Sequence, residues 1–254
     1  MLCALEGGAP WVERVVWSVD GTLLASAAGR KVRLWSAAGE LVREFADHPS
    51  TVADIQWKPG ARELASAAYG QIAMLHADRA EPLQTLKWQG SQLVLAWSPD
   101  AKHLATGDQD CTVHFWIMRT GEDLMMSGYP SKVRELSWDH TSRYLATGGS
   151  PVPCVWDVSG AGPAGTKPKL LEGHGDKVTS LAYQHAGPLL ASAAADGEVI
   201  LWQPDRHERA LCRVELATEL THIAWAPDDG ALAVGDARGG VAALVLNNPL
   251  MKST

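Results

Sequence analysis

A chain of 254 residues with 46% apolar and 20% charged side chains has material for a sizeable core and charge for a solvated surface. Its formal net charge of −7 and pI of about 5.7 give a field of the wrong sign for coating nucleic acid or an anionic membrane. No apolar run approaches the ~18 residues a membrane helix needs, and Met1–Pro10 lacks a basic segment followed by an apolar stretch, so neither a span nor a secretory signal is expected.

From the N-terminus, Met1-Leu-Cys-Ala-Leu5-Glu-Gly7 reads as an outer strand, because it aligns with Lys169-Leu-Leu171-Glu-Gly173. Then comes a phrase that recurs through the chain: an aromatic residue, and seven positions later a Leu-Ala pair. Trp17 leads to Leu24-Ala25, Trp57 to Leu64-Ala65, Trp97 to Leu104-Ala105, Trp138 to Leu145-Ala146, Tyr183 to Leu190-Ala191 and Trp225 to Leu232-Ala233. Successive aromatics lie 40, 40, 41, 45 and 42 residues apart, a period that marks one supersecondary unit copied along the chain. Leu41–Phe45 and Leu83–Leu86 read as fourth strands of their units. The unit around Tyr183 shows the others most fully. Lys177–Tyr183 alternates as a strand, Leu189–Ala193 is a short strand of small residues, Ala194-Ala-Asp-Gly197 is a hairpin turn, and Glu198–Trp202 is a β-branched third strand. Ser159–Pro168 is the one Gly/Pro-rich stretch and reads as a surface loop. Four short strands per roughly 40 residues is the blade of an all-β propeller, whose sheets bury one another by stacking.

The segment Leu171-Glu-Gly-His174-Gly-Asp-Lys-Val178, with Leu190-Ala-Ser192, Asp196 and Leu201-Trp202, closely resembles the WD-repeat (WD40) consensus; Trp156-Asp157 and Trp97-Ser-Pro-Asp100 resemble other parts of it. The resemblance implies a WD-repeat β-propeller over 1–246, with repeats at about 7–45, 46–87, 88–128, 129–172, 173–215 and 216–246 and a tail at 247–254. It also implies a hydrogen-bonded tetrad of His174, Ser192, Asp196 and Trp202. In the third copy Trp88 stands where His is expected. In the second, Gly70 and His76 replace Asp and Trp; the fourth has Tyr129 and Pro151, and the sixth has Leu244 at the Trp position. Six copies predict six four-stranded blades, with residues 1–6 closing the last as its outer strand beside Val241–Leu246; seven blades are the alternative if the chain is a fragment.

Chemistry is sparse. Cys3, Cys111, Cys154 and Cys212 have no short pairing and the nine histidines no metal-ligand spacing, which points to a reduced, cytoplasmic setting without metal or other cofactor. No GxSxG elbow is present, and Asp20, Asp100, Asp228 and Asp229 fall in the turn after the aromatic strand, where turn chemistry accounts for them. The expected function is therefore a non-enzymatic scaffold, monomeric by itself, that docks a protein or peptide. The alternatives are a hydrolase or lyase with a site in the central channel and, against the net charge, nucleic-acid binding. In WD-repeat proteins partners often dock on the face where the loop before the first strand meets the hairpin turn. By register that face takes Trp11, Tyr69, Gln109, Lys132, Arg134 and Lys177. Nine of the eleven Trp fall in repeated strand positions, whereas Trp11 has no core assignment. The arc of Lys132, Arg134 and Lys177 suits an acidic or phosphorylated partner. Trp88 is either a secondary contact or a replacement for the missing His.

Overall fold

The computed structural model describes residues 4–160 and 162–246. It divides into two compact units, Met1–Arg134 and Glu135–Thr254. Among the described residues there is no helix; each unit holds three antiparallel sheets.

In the first unit the sheets are Arg14–Trp17, Leu23–Ala28, Lys31–Ser36 and Leu41–Glu44; then Val52–Trp57, Glu63–Ala68, Gln71–His76 and Gln84–Lys87; then Gln92–Trp97, His103–Asp108, Val113–Ile117 and Glu122–Met126. In the second they are Tyr144–Thr147 between Leu136–Trp138 and Cys154–Asp157, with Lys169–Leu170 outermost; then Val178–Tyr183, Leu190–Ala194, Glu198–Trp202 and Ala210–Glu215; and finally the three strands Leu220–Trp225, Ala231–Asp236 and Val241–Val245. Within each sheet every strand after the first pairs with the one before it, so each sheet is a meander built from local hairpins.

The recurring seven-residue offset is the register of the first hairpin. Trp17 sits opposite Leu24, Trp57 opposite Leu64, Trp97 opposite Leu104, Trp138 opposite Leu145, Tyr183 opposite Leu190 and Trp225 opposite Leu232. A one-residue change would turn every side chain to the wrong face, which is why the offset is constant. Four residues after the aromatic the turn needs a left-handed backbone, taken by Gly21, Ala101, Ser142 and Asp229 at φ of 67°, 59°, 63° and 57°.

Within each unit consecutive sheets are joined at the aromatic. Trp57 Nε1 donates to the Val16 carbonyl at 3.2 Å, and Trp225 Nε1 to the Ala182 carbonyl at 2.9 Å. Three positions before the aromatic, Asp54 accepts the Leu95 amide at 2.8 Å and Ser180 the Ile223 amide at 3.2 Å, so one site ties two different sheet pairs. Asp54 is fully buried and Arg14 pairs with it at 2.9 Å; burial pushes its carboxyl up, against Arg14 and the amides of Leu95 and Ile55, which pull it down. Around these bonds lie cores in which one sheet's small and branched residues receive the next sheet's aromatic: Ala25, Ala27, Val32 and Leu34 with Trp57, and Ala191, Ala193, Val199 and Leu201 with Trp225.

Three expectations change. The sixth sheet has three strands among the described residues; Met1–Cys3 and the tail from 247 lie outside them, and Ala4–Gly7 is not strand. The Arg33 guanidinium donates to the Glu6 carbonyl of that segment. Second, the position equivalent to Trp202 in the second sheet is Leu75, which pairs with Leu64 as Trp202 pairs with Leu190; His76 is one residue further on. Third, Trp17, assigned to a core position by the repeat, is exposed on the face of the first sheet.

Candidate interaction face

In both units the turn between second and third strands is hydrogen-bonded to the loop entering the following sheet. Val52 N donates to the Gly29 carbonyl at 2.8 Å, Gly70 N to Gly90 at 2.9 Å, and Val133 N to Asp108 at 3.3 Å. In the second unit Val178 N donates to Ser150 at 3.2 Å and Leu216 N to Gly197 at 2.9 Å. Approach loops and hairpin turns thus share one end of the sheets, held together by backbone bonds.

Trp11 and Tyr69 are exposed at that end of the first unit, outside its buried cores; the Tyr69 amide is fixed by Ser50 Oγ at 2.8 Å. Gln109 and Arg134 are exposed and Lys132 is half-buried, all in the first unit. Lys177 occupies the corresponding place in the second, half-buried, its carbonyl accepting the Ala195 amide at 2.9 Å. Trp88 belongs to the fold: its ring lies 3.8 Å from that of His114, which in turn lies 4.4 Å from Trp116, and it packs on the core that holds Trp97. Sequence reasoning missed Val12, Val15, Trp17 and Val19, which are all exposed on or beside the first strand. Their residue types are those of buried strands, and only their place in the first sheet leaves them uncovered.

The fifth sheet carries the fullest side-chain network. Ser192 Oγ, fully buried, lies 2.7 Å from His174 Nε2 and accepts the Trp202 indole at 2.8 Å. Asp196 accepts the Gly175 amide at 2.7 Å and the Glu198 amide at 2.9 Å, and its carboxylate stands 3.4 Å from His174 Nδ1, a long charge contact. Burial pulls the Asp196 carboxyl up, but the two amides and His174 outweigh it and leave it below the usual range. Partial copies of the network appear elsewhere: His48 Nε2 lies 2.7 Å from Ser66 Oγ, and Trp35 donates to Ser26 at 2.9 Å.

A Ser–His contact of 2.7 Å is what a nucleophile and base require, yet Ser66 and Ser192 are sealed beneath the sheets, where no substrate reaches. One nitrogen of His174 and the carboxylates of Asp196 and Glu198 lie within 4.8 Å of one another. These groups are already engaged, Asp196 by two amides and Glu198 by Arg213 at 3.3 Å, so the cluster works as a brace for the turn. The acidic turn residues do likewise: Asp20 accepts Ser18 Oγ at 2.6 Å and the Thr22 amide at 3.0 Å, bonds that lower its carboxyl to about 2. Asp229 accepts the amides of His185 and Ala186, both at 2.8 Å.

The family model for the WD domain, G-beta repeat, matches residues 2–36, 80–116 and 165–203. Those three segments carry the WD repeat. The chain is 26% identical over 225 residues to the B-type cell cycle switch protein ccs52A of Medicago truncatula, covering 85% of this chain and 46% of that protein. It is 25% identical over 209 residues to THO complex subunit 3 of Arabidopsis thaliana, covering 78% of this chain and 64% of that one. It thus spans less than two thirds of the length of either relative. A chain of the crystal structure of a mitotic checkpoint complex matches it with a TM-score of 0.80 at 22% identity, over 94% of this chain and 75% of that one. The likeness shows the fold, that of the WD-repeat β-propellers.

Proposed function

We propose that this WD-repeat protein is a non-enzymatic scaffold, its six sheets the blades of one propeller, which docks a protein or peptide through the end bearing Trp11, Tyr69, Gln109, Lys132 and Arg134, with Lys177 at the matching place on the second unit. One observation carries the reading. Trp11 and Tyr69 are large aromatics exposed to water, Tyr69 on a backbone fixed by Ser50, and aromatic and Arg side chains are what interface hot spots use. The names of two similar proteins support it: one is a subunit of a complex, and the other structure is of a complex. Lys132, Arg134 and Lys177 favour an acidic or phosphorylated segment, and the free thiols of Cys111, Cys154 and Cys212 suit a reducing, cytoplasmic setting. The test is affinity capture with the wild type and with Trp11→Ala and Arg134→Glu. A partner retained by the wild type should bind each variant at least tenfold more weakly, the loss of one hot spot. Unchanged binding by both variants refutes this face.

A further inference from the structure

The repeated aromatic is Trp in every copy but one, where it is Tyr183. The indole bonds to the preceding sheet at Trp57, which reaches the Val16 carbonyl, and at Trp225, which reaches the Ala182 carbonyl. A phenol has no donor at that place on its ring. Tyr183 instead donates its amide to Ser137 Oγ of the fourth sheet at 2.9 Å, and its hydroxyl has no hydrogen-bond partner among the described residues. The side chain is only 7% exposed, and burial, reinforced by Asp139, Tyr144 and Asp205, pushes the hydroxyl well above its ordinary value, so it stays a neutral phenol. Buried polar groups are almost always hydrogen-bonded, so an orphaned hydroxyl calls for a partner from outside the fold.

Tyr183 lines a cavity of about 460 Å³ in the second unit, with Asp139, Arg143 and Tyr144 of the fourth sheet's first turn and Pro188 and Asp205 of the fifth sheet. The same register position in the first unit, at Trp57, holds only about 270 Å³, with Leu23 where Tyr144 stands. The larger cavity is within the range of roughly 300–1,000 Å³ that ligand pockets occupy. Its field is negative. Asp139, Asp157 and Asp205 act on Tyr144 together with Arg143, and Lys169 Nζ is 6.0 Å from the Tyr144 ring. Counting His140 as neutral, three carboxylates against two cations leave one negative charge. Arg143 is bound by Asp157 at 2.7 Å, Lys169 donates to the Pro204 carbonyl, and Asp139 accepts the Arg143 and Tyr144 amides at 2.8 and 2.6 Å. Asp205 is exposed and has no ion pair among the described residues, so the uncompensated charge is its own.

We propose that this cavity binds an alkylguanidinium or alkylammonium group, the chemistry of an arginine or lysine side chain, with Asp205 taking its charge, the Tyr183 hydroxyl accepting an N–H and the Tyr144 ring packing against it. Cations gather on aromatic faces and at carboxylates, and the Tyr144 ring already draws two, Arg143 at 5.0 Å and Lys169 at 6.0 Å from its centroid. A guanidinium is the better fit of the two groups, being planar, with five donors to share between a hydroxyl and a carboxylate. An anion would meet Asp139 and Asp205. The cavity adjoins the turn that follows Tyr183, whereas Lys177 precedes the same strand at its other end. It is therefore separate from the docking end described above, and either reading can fail without the other.

The experiment is an NMR titration of the isotope-labelled protein, with N-acetyl-arginine amide standing for a side chain on a polypeptide and agmatine for a free amine. At least one should shift the Tyr144 and Tyr183 amides saturably, and the tighter of the two identifies the source of the group. N-acetyl-citrulline amide, similar in shape but uncharged, should bind about tenfold more weakly or worse, the loss of a charge-assisted bond. Tyr183→Trp, which restores the residue of the other copies, should keep the melting temperature of the wild type and lose the response. Asp205→Asn, at an exposed position, should weaken arginine binding about tenfold without affecting folding. Absence of a saturable shift with both cationic probes overturns the proposal, as does a citrulline probe that binds equally well. Tighter binding of N-acetyl-glutamate amide at the same residues overturns the assigned charge. Undiminished binding by Asp205→Asn, or by a folded Tyr183→Trp, places the ligand elsewhere and also overturns it.

Discussion

Replacing Asp196 with Ala removes the acceptor of two backbone amides, Gly175 at 2.7 Å and Glu198 at 2.9 Å, and the charge that faces His174 Nδ1 at 3.4 Å. A hydrogen bond to a charged group contributes about 1.5–3 kcal/mol, less where water can replace the acceptor. Gly175 is exposed and Glu198 half-buried, so the expected loss for Asp196→Ala is about 2–3 kcal/mol, an order-of-magnitude figure. Asp228, in the turn of the sixth sheet, accepts the Gly230 amide at 3.0 Å at an exposed site, and Asp228→Ala should cost about 0.5 kcal/mol. For a chain of this size that corresponds to roughly 4–12 °C of melting temperature for Asp196→Ala and about 1–2 °C for Asp228→Ala. The Asp196 carboxyl is held below its usual range, so its stabilisation is complete above the free carboxylate value of about 3.9 and is lost as pH falls through the folded-state value. Melting curves by circular dichroism at pH 7 and pH 3 measure both effects. The gap between wild type and Asp196→Ala should be wider at pH 7 than at pH 3. Equal shifts for the two variants at pH 7, or a gap that acid leaves unchanged, would refute the assignment of Asp196 as the brace of this turn.

Asp108 presents the opposite sign. Burial, with a smaller push from Asp110 and against bonds to Thr106 and Thr112, raises its carboxyl to about 7, so the folded state holds a proton that the unfolded chain has released. The contribution of Asp108 to stability should fall as pH rises from about 4 to about 7, and Asp108→Asn should raise the melting temperature at pH 8 by the equivalent of about 1–3 kcal/mol, with little effect at pH 4. No pH dependence of that gain would count against a protonated Asp108. His48, His103, His114 and His174 are all held below the ordinary imidazole value chiefly by burial. The unfolded chain takes up protons near about 6.5 that the folded chain refuses, so in the Asp108→Asn variant, where the opposing carboxyl is gone, the melting temperature should drop between pH 7 and pH 5. A flat profile over that interval would show these rings to be hydrated.

Much of the fold and part of the site are legible because they rest on short-range pattern. The Trp-to-Leu offset is a hairpin register, and the small residues after each Leu are the bed on which the next sheet packs. The reading of His76 at the indole position failed for a physical reason. In the second sheet a leucine fills that place, and without the indole nothing in the local sequence tells Leu75 from its neighbour. Asp54 carries a buried carboxyl and a bond to the next sheet, yet it sits in a strand as any polar residue could; its role depends on Leu95, 41 residues away.

Trp17 and Trp57 show where the division lies. Each is followed by Leu-Ala-Ser at the same distance and each faces Leu across the same hairpin, so the sequence by itself determined their strand, their partner and the side of the sheet they occupy. Only the tertiary structure decided that one is buried and the other in water, because burial belongs to whatever lies above a face and not to the residues that form it.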